Sequence, residues 1–229
     1  MKITACVFDA YGTLFDVNAA ARAAAAEPGN AHFADIWEPL ARDWRAKQLE
    51  YSWLRAITAE HRDFWRVTKD ALDWAMEAHG LAGEEDLRDR LLALYWKLEP
   101  YPEVPEMLRA LREAGLQTAI LSNGSPEMLD AAVHSAGIEA LLDDVISVER
   151  VGVFKPARQV YDLVTTRFDC APYEVLFVSS NGWDISAAAG HGFVTAWVNR
   201  AGAPMERLGH PPNKQLSDLA EIPAMAAAL

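Results

Sequence analysis

Hydrophobic and polar positions follow one another along this chain in three distinct ways. Residues 3–8 form a short apolar run, β-branched at Ile3, Thr4 and Val7, that ends abruptly in the carboxylate of Asp9. The run lacks helical spacing and predicts a buried strand of a parallel sheet. From residue 17 to about 99 the spacing is helical. An alanine-rich stretch over 19–26 has high helix propensity, and Glu27-Pro28-Gly29-Asn30 breaks it. Trp37, Leu40, Trp44, Gln48 and Tyr51 then recur as a mostly apolar stripe, with Pro39 suited to the first turn of that helix. Further helices are predicted over 64–77 and 84–96, with Gly80 and Gly83 as stop signals. Six of the eight tryptophans fall in this region, enough bulk for a small helical bundle with its own core.

Pro100 and Pro102 mark the third regime. Helices over 103–114, 126–136 and 157–167, and one containing 185–189, alternate with short apolar strands over 117–121, 145–148, 175–178 and 193–198, the last of the sheet. A short helix from Glu221 closes a tail rich in Pro and Gly. This alternation predicts an α/β fold: a doubly wound, Rossmann-like parallel sheet with helices on both faces. The expected division is a core of residues 1–15 and 100–229, with residues 16–99 inserted after the first strand as a helical cap. A length of 229 residues accommodates both, and a composition half hydrophobic supplies a substantial core.

The formal charge of −12 disfavours nucleic acid and anionic membranes as partners. It also requires any site for an anionic substrate to gather positive charge locally against the overall field. Cys6 and Cys170, the two cysteines, have no metal-ligand spacing and suggest no disulfide framework. The N-terminal run is interrupted by Asp9 and has no cleavage-site pattern, and no apolar stretch is long enough to span a bilayer. A soluble cytoplasmic protein is expected.

In an open α/β sheet the ligand crevice lies at the carboxyl ends of the strands. Asp9 belongs there, either as a turn former or as a nucleophile or metal ligand. Strand two leads to Ser122-Asn123-Gly124-Ser125, strand three to Phe154-Lys155-Pro156, and strand four to Ser179-Ser180-Asn181-Gly182-Trp183-Asp184. Each is unexceptional as turn chemistry; their convergence with Asp9 points to a site.

The run Asp9-Ala10-Tyr11-Gly12-Thr13-Leu14 resembles the first motif of the haloacid dehalogenase superfamily, and the later strand ends match its other motifs in order. Most members are phosphatases with Asp-x-Asp-x-Thr and further carboxylates after strand four, which serve magnesium. Here Tyr11 and Asn181 stand at those positions, and the cap run Trp44-Arg45-Ala46-Lys47-Gln48-Leu49-Glu50-Tyr51-Ser52-Trp53 is similar to the cap of the L-2-haloacid dehalogenase branch. The resemblance implies that Asp9 attacks the halogen-bearing carbon to form an ester that water then hydrolyses, without metal or cofactor. It implies that Thr13 orients Asp9, that Lys155 neutralises Asp9 and Asp184, and that Asp184 activates the water while Ser179 and Asn181 position it and Lys155. Ser122 and backbone amides near Tyr11 would bind the substrate carboxylate. Arg45, Asn123 and Trp183 would receive the halide, and Tyr11, Leu49, Phe64 and Trp183 would wall the alkyl pocket. Tyr161 is either a hydrogen-bonding member of the site or a core tyrosine, and Arg45 either a halide acceptor or a snorkelling surface arginine. The family also implies a homodimer. Two other readings remain at this level: a magnesium-dependent phosphatase of the same superfamily, and a catalytically inert relative that binds anions in the cleft.

Overall fold

The computed structural model describes residues 2–229. Strand β1 (Ala5–Phe8) is followed by helices α1 (Ala19–Ala25), α2 (Ala31–Ala34), α3 (Trp37–Thr58), α4 (Phe64–Ala78) and α5 (Glu85–Tyr95). The alternating part comprises α6 (Val104–Glu113), β2 (Gln117–Ser122), α7 (Pro126–Ala136), β3 (Asp144–Ser147), α8 (Arg158–Phe168), β4 (Val175–Ser179), α9 (Gly182–His191), β5 (Val194–Val198), β6 (Lys214–Leu216) and α10 (Ile222–Ala228).

The strands form one six-stranded sheet in the order β3-β2-β1-β4-β5-β6, every pair parallel. Strand β1 lies at the centre, with Phe8 in register with Ile120 of β2 and Val178 of β4. The strand order runs outward one way from β1 to β3 and the other way from β4 to β6. Right-handed crossovers therefore put α6 and α7 on one face and α8 and α9 on the other. Both faces are covered, so β1, β4 and β5 are buried along their whole length, as the unbroken apolar runs predict. The sheet does not end at residue 198: β6 adds an edge strand whose first two residues, Lys214 and Gln215, are exposed, so no apolar run announces it.

Local chemistry sets the helix ends. Ser125 caps α7 by accepting from Met128 N, with Pro126 in the first turn and Gly137 left-handed at the far end. Asp63 caps α4 by accepting from Arg66 N. Helix α3 has 22 residues and so spans about 33 Å, with Pro39 in its first turn. Its buried line is Leu40, Ala41, Trp44, Gln48 and Ser52. Tyr51 is not in that line; it is half-buried at the rim, with Lys47 Nζ 5.6 Å from its ring centre. The polar members of the line are satisfied internally: Trp44 Nε1 donates to Thr68 O (2.9 Å), and Gln48 Nε2 donates to Thr68 Oγ1 (2.9 Å) and Tyr95 Oη (3.2 Å). Among the described residues no helix is long and apolar enough to cross a membrane.

Candidate active site

The crevice is built from the ends of β1, β2 and β4, the loop before α8, and one face of α3. Asp9 is held by the sheet itself, its backbone N–H donating to Val178 O at 2.9 Å. The chain then turns sharply at Gly12, whose φ of +89° favours glycine, and returns Thr13 to the carboxylate: Thr13 Oγ1 lies 3.0 Å from Asp9 Oδ2. Ser180 N–H donates to Thr13 Oγ1 (2.8 Å), which leaves the threonine proton free to point at Asp9. Asn181 Nδ2 donates to the same Asp9 oxygen at 3.0 Å. The other oxygen, Oδ1, faces Lys155 Nζ at 3.2 Å.

Lys155 Nζ also donates to Asp184 Oδ2 at 2.9 Å, so one ammonium bridges two carboxylates. Its backbone N–H donates to Asn123 Oδ1 (2.9 Å), which ties the β2 loop to the lysine. Tyr161 Oη donates to Asp184 Oδ1 at 2.7 Å. These groups are buried: Asp9 is 6% exposed, Lys155 1% and Asp184 0%. Burial by itself would push the Lys155 ammonium down, but Asp184 and then Asp9 beside it hold it above the usual lysine range. For Asp184 burial pushes up, Lys155 opposes, and Asp9 adds to the rise; the carboxyl ends above the usual range. Tyr161 is pushed well above the usual phenol range by burial first and by Asp184 second, so it stays a donor.

Helix α3 roofs this floor. Arg45 Nη2 donates to Tyr11 O (3.2 Å) and Asn181 Oδ1 (3.5 Å), spanning the loops after β1 and β4. Leu49, one turn on, lines a cleft of about 540 Å³ together with Gly12, Asn181 and Trp183. Trp53, one turn further, meets Trp183 edge-on, ring centres 5.4 Å apart. Trp183 Nε1 is buried with no hydrogen-bond partner among the described residues. A larger apolar cleft of about 650 Å³ lies beyond Trp183, between Trp53, Pro156 and Gly190, but holds none of the bonded charges. The opposite wall is aromatic. Tyr11 stacks on Tyr95 (5.7 Å, 18°) and packs against Phe64 (6.0 Å), which meets Phe154 edge-on (6.0 Å). Gly124 lets the Tyr11 ring in: a Cβ there would lie 2.8 Å from Tyr11 Cε2.

The structure thus bonds Asp9, Thr13, Lys155, Asn181, Asp184 and Tyr161 into one network and gathers Tyr11, Arg45, Leu49, Phe64, Asn123 and Trp183 around it. Ser122 and Ser179 make no hydrogen bond to Asp9 or Lys155. Their hydroxyl oxygens accept from Gly124 N (3.1 Å) and Asn181 N (3.1 Å), shaping the two turns. Tyr161 lies beneath Asp184 among Phe177, Phe193 and His191, combining the two roles open to it from sequence. Sequence reasoning missed Ser180, Tyr95 and Phe154. Ser180 and Phe154 had a signal, their places inside the strand-four and strand-three end segments; Tyr95 had none.

Comparison with known proteins gives the family. The family description "haloacid dehalogenase-like hydrolase" matches residues 3–192. The chain is 45% identical over 227 residues to (S)-2-haloacid dehalogenase 1 of Pseudomonas sp. (strain CBS-3), covering 99% of this chain and 98% of that one. A solved dehalogenase with an intermediate complex superposes with a TM-score of 0.93 at 39% identity, covering 99% of this chain and 98% of that one. The L-2-haloacid dehalogenase of Xanthobacter autotrophicus, solved with chloropropionic acid covalently bound, gives 0.87 at 40% identity and 99% of both chains. With an aspartate at the end of the central strand, a lysine before α8 and a family match across most of its length, the chain belongs to the haloacid dehalogenase-like hydrolases.

Proposed function

We propose that the protein is an (S)-2-haloacid dehalogenase, hydrolysing the carbon–halogen bond of L-2-haloalkanoic acids with inversion to D-2-hydroxy acids. The observation that carries this reading is Asp9: one oxygen is fixed by Thr13 and Asn181, the other faces Lys155, and a cap guanidinium stands over the loops on either side. An Asp9 oxygen attacks C2, the carbon–halogen bond breaks, and an aspartyl ester forms. The leaving halide gains charge as the bond breaks, and Arg45, Asn123 and Trp183 supply donors for it. Ser122, whose oxygen accepts from Gly124 N while its proton stays available, and the amides near Tyr11 hold the substrate carboxylate. Water then attacks the Asp9 carbonyl carbon as Asp184 takes its proton. The carbonyl–oxygen bond breaks, the hydroxy acid leaves with the oxygen that came from Asp9, and it receives the proton back from Asp184. Asp9 returns as carboxylate, the second water proton passing to solvent.

The donor set does not fit magnesium. A Mg²⁺ site calls for oxygen ligands including carboxylates. Tyr11 and Asn181 replace two of them, Asn181 turns an N–H toward Asp9, and the Lys155 ammonium lies between the two carboxylates that remain. The dehalogenase reading is therefore preferred to a phosphatase, and the reaction needs no metal. We further read residues 16–99 as a cap over a core of 1–15 and 100–229, and the protein as a cytoplasmic homodimer, on the family's pattern and two free cysteines.

A single turnover in heavy-oxygen water, with enzyme in excess over L-2-chloropropionate, tests the mechanism. The hydroxy acid should carry unlabelled oxygen and Asp9 the label. Label in the first product would mean that water attacks the substrate directly.

A further inference from the structure

One pair of side chains crosses from the helical layer to the sheet without entering the chemistry above. His61, in the turn between α3 and α4, lies with Nε2 3.0 Å from Glu149 Oε2, in the turn after β3. The pair is mostly enclosed, the side chains 23% and 25% exposed. Each keeps one buried atom, His61 Nδ1 and Glu149 Oε1, without a protein partner. Buried polar groups are ordinarily paired, and an unpaired one calls for an explanation.

Both residues lead to opposite sides of the crevice. The His61 ring lies on Phe154 (4.7 Å), Phe154 meets Phe64 (6.0 Å), and Phe64 meets Tyr11 (6.0 Å), so the histidine is the outermost member of the aromatic wall. Glu149 N–H donates to Ser147 Oγ (3.2 Å), and Ser147 Oγ donates to Gly124 O (2.6 Å). Gly124 N–H in turn donates to Ser122 Oγ, and Asn123 in the same loop holds Lys155 N–H. The Glu149 link runs through its backbone N–H, so removing either side chain leaves that bond in place but unties from each other the turn that carries the outer ring of the wall and the turn that holds Ser147 and the loop assigned to the substrate carboxylate.

We infer that His61 and Glu149 are positioning residues: a latch that joins the helical layer to the sheet and sets the aromatic wall and the 122–124 loop in the geometry that binds substrate. The inference rests on the dehalogenase reading for its kinetic effect but not for its structural one. Neither residue touches the reacting atoms, so the latch acts on substrate binding more than on the chemical step. Loss of a hydrogen bond of this kind corresponds to about a tenfold change.

The test compares His61→Ala, Glu149→Ala, Glu149→Gln and the double alanine variant, reading halide release from L-2-chloropropionate and amide hydrogen exchange by mass spectrometry. Both single alanine variants are expected to raise KM about tenfold with kcat within about threefold, and to speed exchange in residues 122–124 as well as 61–64. The double variant should be no worse than either single one, because the two act as a unit. Glu149→Gln keeps an acceptor oxygen for the ring N–H and should restore KM to near the wild-type value. Additive losses, an unchanged KM, exchange confined to the mutated segment, or Glu149→Gln as poor as Glu149→Ala would each overturn the latch. Wild-type protein that releases no halide while exchange spreads as described would sink the activity reading and leave the latch standing.

Discussion

Lys155→Met is the sharpest perturbation the site offers. Methionine keeps much of the buried stem and removes the ammonium that lies 3.2 Å from Asp9 and 2.9 Å from Asp184. At an effective dielectric of about 20 each contact is worth about 5 kcal/mol of Coulomb attraction. Desolvation of the ammonium and repulsion between the carboxylates offset a large part of that gross figure. Breaking a buried pair by removing one partner costs about 3–5 kcal/mol net, because the orphaned charge stays behind. For a chain of this size that corresponds to a fall of about 10 °C in melting temperature. The sign of the pH dependence follows from the two groups. Lys155 is held above its ordinary range, so its contribution is complete below the unfolded lysine value and disappears only as the pH rises through the folded one. At pH 8 the wild type has all of it and the variant none. In the variant Asp184 loses the ammonium that opposed its rise, so it takes up a proton more readily, and the deficit shrinks as the pH falls toward 5. Urea unfolding of both proteins at pH 5 and pH 8, followed by circular dichroism, measures the difference. Halide release by the variant should also fall by at least about a hundredfold. A deficit below about 1 kcal/mol at pH 8, or one that grows toward pH 5, would refute the assignment of Lys155 as the counter-charge of the dyad.

Arg45→Ala should keep the fold but lower turnover by about a hundredfold or more, while Arg42→Ala, whose side chain is largely exposed on the same helix, should leave halide release almost unchanged; equal kinetics for the two would remove Arg45 from the halide site. Tyr161→Phe deletes a hydrogen bond that favours the Asp184 carboxylate, so the acid limb of the rate profile should move to higher pH, with stability down by about 1–3 kcal/mol in thermal melts. Asn181→Asp sets a carboxylate against Asp9 Oδ2 where a donor now stands at 3.0 Å, and halide release should collapse without magnesium restoring it. Chelator should leave the wild-type rate unchanged, and a rate recovered only by Mg²⁺ would return the protein to the phosphatase branch.

The parts legible in the sequence were those whose signal is local. Strands buried on both faces read as unbroken apolar runs, and the polar segments that follow them lie at one edge of a parallel sheet, which brings Asp9, Lys155 and Asp184 to one crevice. Strand β6 escaped because a three-residue edge strand with two exposed polar positions has no hydrophobic pattern. The apolar stripe of α3 points toward Tyr51 while the buried line runs through Gln48 and Ser52, because polar residues are tolerated inside once their bonds are met: Gln48 by Thr68 and Tyr95 on other helices, Ser52 by Leu49 O in its own helix. Tyr95, Phe154, His61 and Glu149 belong to the same class. Their importance comes from what they meet across the fold, and spacing along the chain carries no trace of it.

The bonded network at the crevice floor also has a consequence for how the molecule acquires activity. Lys155 is 146 residues from Asp9 along the chain, and Asn181 is 172. Helices α1 to α5 can form from contacts close in sequence, but Asp9 has no counter-charge until loops of that length have closed and β1 has been enclosed by β2 on one side and β4 on the other. Catalytic competence is thus a late property of the folding chain, gained after most of the helical signal is in place.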